Sequence, residues 1–188
     1  MKITVPVYPD YELREEYLRE FRRADVDRIL FVVDREFEPE AAKKAADNVR
    51  RCIEFYGGFG YSCAVWIGST IGHGVYLVGR GAEEEREYTL IRGVHGEERG
   101  EAYCPLDERF RRDISRFVAA FADVGAEFIL LDDDFRLAHD FVGCACELHL
   151  AALGKEIGRP VTREEIREKA LSGGANEYRR AWVKVQGD

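Results

Sequence analysis

Apolar residues fill nearly every position of residues 28–33 (RILFVV) and 61–67 (YSCAVWI). A strand with one wet face alternates apolar and polar side chains. Continuous runs of this length instead predict strands covered on both faces, as in a parallel sheet flanked by helices. Residues 88–91 (YTLI) and 128–131 (FILL) read as two more buried strands. Residues 3–7 (ITVPV) form a short apolar stretch that Pro6 confines to a sheet edge. Between these runs the period changes to that of a helix. Asp10 is placed to cap a helix through about residue 24, with Leu13, Tyr17, Leu18 and Phe21 on one face. Pro39 opens a second helix that runs to about Tyr56 and stops at Gly57-Gly58. Pro105 and Asp107 start a third, with Phe110, Ile114, Phe117, Val118 and Phe121 as its buried stripe. A fourth follows Cys146. Thr162-x-x-Glu165 is a capping-box pattern for a fifth, and 176–185 is a last helical piece.

Strands alternating with helices, and no tight-turn signal joining the main strands, predict a parallel α/β fold in a single domain. Closing an eight-stranded barrel typically takes about 250 residues, and this chain has 188. The expected fold class is therefore α/β, a partial (β/α)8 TIM barrel of about four β/α units, with an open parallel sheet as the alternative. The polar residues collect where the strands end: Asp34 and Arg35; Ser69, Thr70 and His73; Arg92 and His95; Asp132 to Arg136. Ligands of parallel α/β folds bind at the carboxyl ends of strands, so these residues predict a cleft along one edge.

Composition narrows the partners. The formal net charge is −8, and the arginines are interleaved with glutamates. A phosphate-backbone binder carries a basic face, so nucleic acid is not expected. No apolar run approaches the roughly 20 residues of a membrane span, and the first residues lack the apolar core of a signal peptide. Five cysteines, an odd number with two in a Cys-x-Cys, read as thiols or metal ligands in a cytoplasmic protein.

Cys144, Cys146 and His149 supply three soft donors within six residues. Zinc favours four thiolate or imidazole ligands in a tetrahedron, and Cys104, in the loop before the preceding helix, can supply the fourth. The alternative is a set of buried free cysteines beside a surface histidine. Cys52 lies on a helical apolar stripe and Cys63 within a strand, so both read as core.

The strand followed by Asp132-Asp133-Asp134-Phe135, then Cys144-Ala-Cys146-Glu-Leu-His149, resembles the zinc-containing β-galactosidases of glycoside hydrolase family 42. The likeness runs from about Cys104 to Trp182. It implies the N-terminal half of a glycoside-hydrolase-like barrel with a structural zinc held by Cys104, Cys144, Cys146 and His149. It also implies Asp134 as the general acid/base and Asp133 at the sugar 2-hydroxyl. Asp132, Arg136, His73, His95 and Arg92 are the further candidates for binding the carbohydrate. The sequence departs from the family in having Asp for Glu at 134, Asp for Asn at 133 and His for Cys at 149. Acidic neighbours would help keep Asp134 protonated, as an acid catalyst requires.

The family's nucleophile comes from strand seven, which has no counterpart here. Unaided glycoside hydrolysis is therefore not expected, because a retaining enzyme needs two carboxyls about 5–5.5 Å apart. Two other functions compete with this one. One is a non-catalytic, zinc-stabilised module that binds carbohydrate or pairs with another subunit. The other is a divalent-metal hydrolase using the aspartates for magnesium. An open half-barrel leaves sheet edges unpaired, so a homo-oligomer or a complementing C-terminal half is expected.

Overall fold

A computed structural model describes residues 2–9, 13–71, 88–132, 143–172 and 174–187, with the backbone alone at 99–101. In chain order the elements are β1 (Thr4–Val7), α1 (Glu15–Arg23), β2 (Arg28–Val33), α2 (Pro39–Gly58), β3 (Ser62–Ile67), β4 (Leu90–Arg92), β5 (Glu98–Tyr103), α3 (Glu108–Ala120), β6 (Ile129–Leu131), α4 (Glu147–Ile157), α5 (Arg163–Glu165) and α6 (Glu177–Gly187). A π-helical turn, Ile166–Ala170, continues directly from α5. Among the described residues no helix is long and apolar enough to cross a membrane. The chain divides into two compact units: Met1–Arg86 with Arg112–Asp133, and Glu87–Arg111 with Asp134–Asp188.

The first unit is an α/β layer. Its sheet has the order β1-β2-β3-β6, and every pairing is parallel. β2 and β3 are the central strands, as their unbroken apolar runs require, and Ile29, Phe31, Ala64, Val65 and Ile67 are wholly buried. β1 takes an edge, where Pro6 is tolerated. The α2 face carrying Ala42, Ala46, Val49, Cys52 and Tyr56 packs into the same core as Phe117, Phe121 and Val124. At the amino edge Arg28 ties the strands together. It donates to Ser62 (3.0 Å) and pairs with Glu127 (3.1 Å), and its guanidinium lies over the Phe128 ring.

Two expectations about the strands need correction. The 88–91 run does not join the parallel sheet. β4 pairs antiparallel with β5, and the turn between them closes with the Gly93 amide donating to Glu97 O (2.8 Å). Gly96 adopts φ +90°, where a side chain would be strained. The 128–131 run is not a buried strand either. β6 is Ile129–Leu131, paired to β3 over three residues, and Phe128, Leu130 and Leu131 remain substantially exposed. Asp10, the expected cap of the first helix, lies outside the described residues.

The second unit has its own apolar centre of Val94, Ala145, Leu153, Val161, Ile166, Ala170, Ala181 and Trp182. Its helix ends follow local chemistry. The Glu165 amide donates to Thr162 Oγ1 (3.2 Å) while the Glu165 carboxylate accepts from the Thr162 amide, giving the expected capping box. Gly158 closes α4 in the left-handed region at φ +84°.

Phe31 is fully buried on β2 against Tyr56, with ring centroids 5.9 Å apart. Phe31→Ala should cost about 3–5 kcal/mol, measured by chemical denaturation. A loss below about 1 kcal/mol would mean that β2 is not the centre of this core.

Candidate metal centre

The second unit gathers four soft donors in one place. Cys104, Cys144, Cys146 and His149 are all buried, and their donor atoms lie within 4.8 Å of one another. Cys104 Sγ is 3.2 Å from His149 Nδ1, Cys146 Sγ is 3.4 Å from Cys104 Sγ, and Cys146 Sγ is 3.6 Å from His149 Nδ1. Such separations are far too long for a disulfide, and none of the five cysteines is in one. A tetrahedral ion bonded at about 2.3 Å to sulfur and about 2.0 Å to nitrogen would hold its donors about 3.5–3.8 Å apart. The cluster is close to those dimensions and could hold a metal ion.

Each donor arrives for a local reason. Cys104 follows β5 directly. Its amide donates to Thr89 O (2.7 Å) across the hairpin, and its carbonyl accepts from the Asp107 amide (3.0 Å) in the turn that starts α3. Asp107 fixes that turn. Its carboxylate accepts from the Thr89 amide (2.8 Å) and from the Arg109 amide (2.9 Å). Burial alone would raise the Asp107 pKa, but these amides and the Arg109 guanidinium outweigh it. The carboxyl is held well below the usual range.

Cys146 is the residue that caps α4. It is extended (φ −67°, ψ 172°) and makes no side-chain cap bond, so its sulfur stays free to ligate. His149 stands three residues on, in the first turn, where i and i+3 share a helix face. The exposed amides at this helix start favour a thiolate on Cys146. The irregular segment 143–146 before the helix is anchored from three sides. The Ala145 amide donates to Arg92 O (2.6 Å), and Arg163 Nε donates to Ala145 O (2.8 Å). From α6, Gln186 receives the Cys144 amide (2.7 Å) and donates back to Cys144 O (3.1 Å). Gly143 makes this embrace feasible. Its φ is +110°, and a Cβ there would meet the Gln186 side chain at 2.5 Å.

Within the cluster the thiols and the imidazole shift one another's protons unevenly. The Cys146 thiol is driven far down because Cys104 and Cys144 donate to it, with His149 adding to this and burial opposing. Cys104 moves the other way, because its proton is held between the Cys144 and Cys146 sulfurs. Burial alone would lower the His149 pKa, but the Cys144 and Cys146 sulfurs outweigh it and push it up to about 9. Cys52 and Cys63 are core, as their positions predict. Burial, then the neighbouring Cys52, pushes the Cys63 thiol up to about 11, which leaves it unreactive.

Of the other candidates, Arg92 serves the frame of this unit. Its carbonyl holds the Ala145 amide, and its guanidinium pairs with Glu98 and lies 3.8 Å from Glu147. His95 is exposed in the β4–β5 turn. Asp132 belongs to the first unit, where its amide donates to Ile67 O (3.1 Å) at the end of β3. His73, Asp133, Asp134 and Arg136 lie outside the described residues. Sequence reasoning missed the supporting residues Gln186, Arg163 and Gly143. Only Gly143 carried a signal, as a glycine directly ahead of the first ligand of the pair.

The fold and the cluster together define an α/β protein with a buried Cys3His cluster that could hold a metal ion. No family model, no curated protein and no solved structure matches the chain.

Metal binding must displace the protons these ligands carry, so affinity should fall as pH falls, by about tenfold per pH unit for each proton displaced. Because His149 keeps its proton up to about pH 9 in the metal-free cluster, the affinity should still be rising between pH 7 and 9. Competition against a chromophoric chelator across that range measures it. A flat profile would contradict this ligand set.

Proposed function

We propose that the chain is a zinc-stabilised, glycoside-hydrolase-like half-barrel that acts on or binds carbohydrate in the cytoplasm. The observation that carries the reading is the convergence of Cys104, Cys144, Cys146 and His149 in one buried cluster. Three sulfurs and one imidazole nitrogen form a tetrahedral soft-ligand set that suits zinc. All four positions are filled by protein, so the ion is structural and leaves no open coordination site for a substrate. The parallel sheet of the first unit supports a barrel-type α/β architecture, and the family 42 resemblance supplies the chemistry.

In that chemistry Asp134 protonates the glycosidic oxygen as the bond to the leaving group breaks. Asp133 holds the sugar 2-hydroxyl. A strand-seven carboxylate from a complementing half, about 5–5.5 Å from the Asp134 carboxyl, attacks the anomeric carbon to give a glycosyl-enzyme, which water activated by Asp134 then hydrolyses. Arg136 is proposed as a further sugar contact.

A second reading, a non-catalytic module that pairs with another subunit, draws support from β6. Phe128, Leu130 and Leu131 are large apolar side chains with substantial exposure on a sheet edge, and such edges invite pairing.

Elemental analysis of the purified chain should give about one zinc per chain. Cys146→Ser should lose the ion and, with it, much of the thermal stability. A metal-free chain of equal stability would remove the zinc assignment. Hydrolysis of an aryl-β-galactoside should be absent with the chain alone and appear on adding a C-terminal half that carries the nucleophile. It should be lost again in Asp134→Asn. Binding of galactose without turnover in either state would favour the second reading.

A further inference from the structure

A cavity of about 430 Å³ opens between α2 and α3, two helices of the first unit that pack into the same core. Small-molecule pockets span about 300–1,000 Å³. The lining runs over about three turns of α2, from Pro39 to Arg50, and about two turns of α3, from Asp113 to Ala120. Each helix leads into a strand of the parallel sheet, β3 or β6, so the two run in the same direction. The space between them is therefore an elongated groove. Phe37, Ala42, Ala46, Phe117 and Ala120 give it an apolar lining.

Charge is distributed unevenly around this apolar centre. At one end Glu36, ahead of α2, accepts the Glu38 amide (2.8 Å). On the α2 wall one carboxylate, Asp47, answers two cations, Lys43 (2.5 Å) and Arg50 (2.6 Å). On the α3 wall Asp113 likewise answers both Arg116 (3.4 Å) and Arg112 (3.7 Å). Each wall thus holds more cations than carboxylates, on a chain whose formal net charge is −8. Arg50 and Arg116 both lie past the midpoints of their helices, at the end of the groove away from Glu36. Each bonds its carboxylate through Nη1, which leaves most of the guanidinium fork for another acceptor. Exposed ion pairs of this kind contribute little to stability, so a ligand carboxylate can share the arginines at small cost.

We propose that the groove between α2 and α3 binds an amphipathic carboxylate of the fatty-acid type, with its head group at Arg50 and Arg116 and its acyl chain running past Ala46 and Ala42 toward Phe37. The surplus of cations selects an anion, the elongated apolar lining selects a linear hydrocarbon body, and Glu36 repels a carboxylate from the other end and so fixes the orientation. This site stands apart from the metal cluster and from the carbohydrate reading, and neither is needed for it.

The test titrates decanoate, below the concentration at which it forms micelles, into the full chain and follows the heat by calorimetry. Melting temperature is measured for every variant. Arg50→Ala and Arg116→Ala should each weaken binding by roughly tenfold, because each removes a charge-assisted hydrogen bond to the head group. Both side chains are substantially exposed, so neither change should unfold the protein. Arg116→Lys keeps the charge and should recover part of the loss. Ala120→Leu, at a half-buried position on the groove wall, should fill the space and block binding without lowering the melting temperature. Decylamine, with the same chain and the opposite charge, should bind at least tenfold more weakly than decanoate. No binding of decanoate at millimolar concentration would overturn the proposal. So would equal affinity for decylamine, arginine variants that bind decanoate as the unaltered chain does, or a folded Ala120→Leu protein with normal affinity.

Discussion

Three sulfurs and a ring nitrogen crowd within 4.8 Å of one another in a buried place, and the second unit is arranged around that fact. Buried donors of this kind are poorly satisfied by each other. Thiols are weak hydrogen-bonding groups, and an imidazolium beside a thiolate survives in an apolar setting only because the two charges are paired. A cation at the centre would replace several weak contacts with strong bonds. It would also join chain segments about 40 residues apart. The surrounding bonds point to the same centre. Thr89, Asp107, Arg92, Arg163 and Gln186 all hold the backbone that carries the ligands.

The two units therefore draw on different sources of order. The first has a continuous apolar core formed by β2, β3, α2 and the Phe117–Phe121 face, and its stability follows from the area it buries. The second has a smaller apolar centre, a two-stranded hairpin, a three-residue helix and a π turn. A hairpin and short helices bury little by themselves. The ligand cluster and the aromatic group of Tyr88, Tyr103 and Phe110, with ring centroids 5.1 to 5.6 Å apart, make up the difference.

The readable parts of this chain were those where one residue type has a single physical use. β2 and β3 were legible because an unbroken apolar run has to be covered on both sides. Pro39, Thr162 with Glu165, and Gly158 announced helix ends through their own backbone chemistry. Cys144, Cys146 and His149 were legible from spacing. Cys104 followed because it sits in the loop ahead of the preceding helix. The hairpin was hidden for the opposite reason. Tyr88–Ile91 is as apolar as a central strand, and its partner Glu98–Tyr103 (ERGEAY) has no apolar alternation to mark it. β6 misled because FILL has a core composition, yet it pairs along only three residues and leaves Leu130 and Leu131 exposed. The bonds from Gln186 and Arg163 to the knuckle are long-range contacts of ordinary surface residue types, which no local pattern encodes.

X-ray absorption at the zinc edge on the purified chain tests the central claim most directly. The account predicts a four-coordinate shell of three sulfurs at about 2.3 Å and one nitrogen at about 2.0 Å. A shell made of oxygen and nitrogen alone, or sulfur lost from it only when Cys52 or Cys63 is replaced, would contradict it.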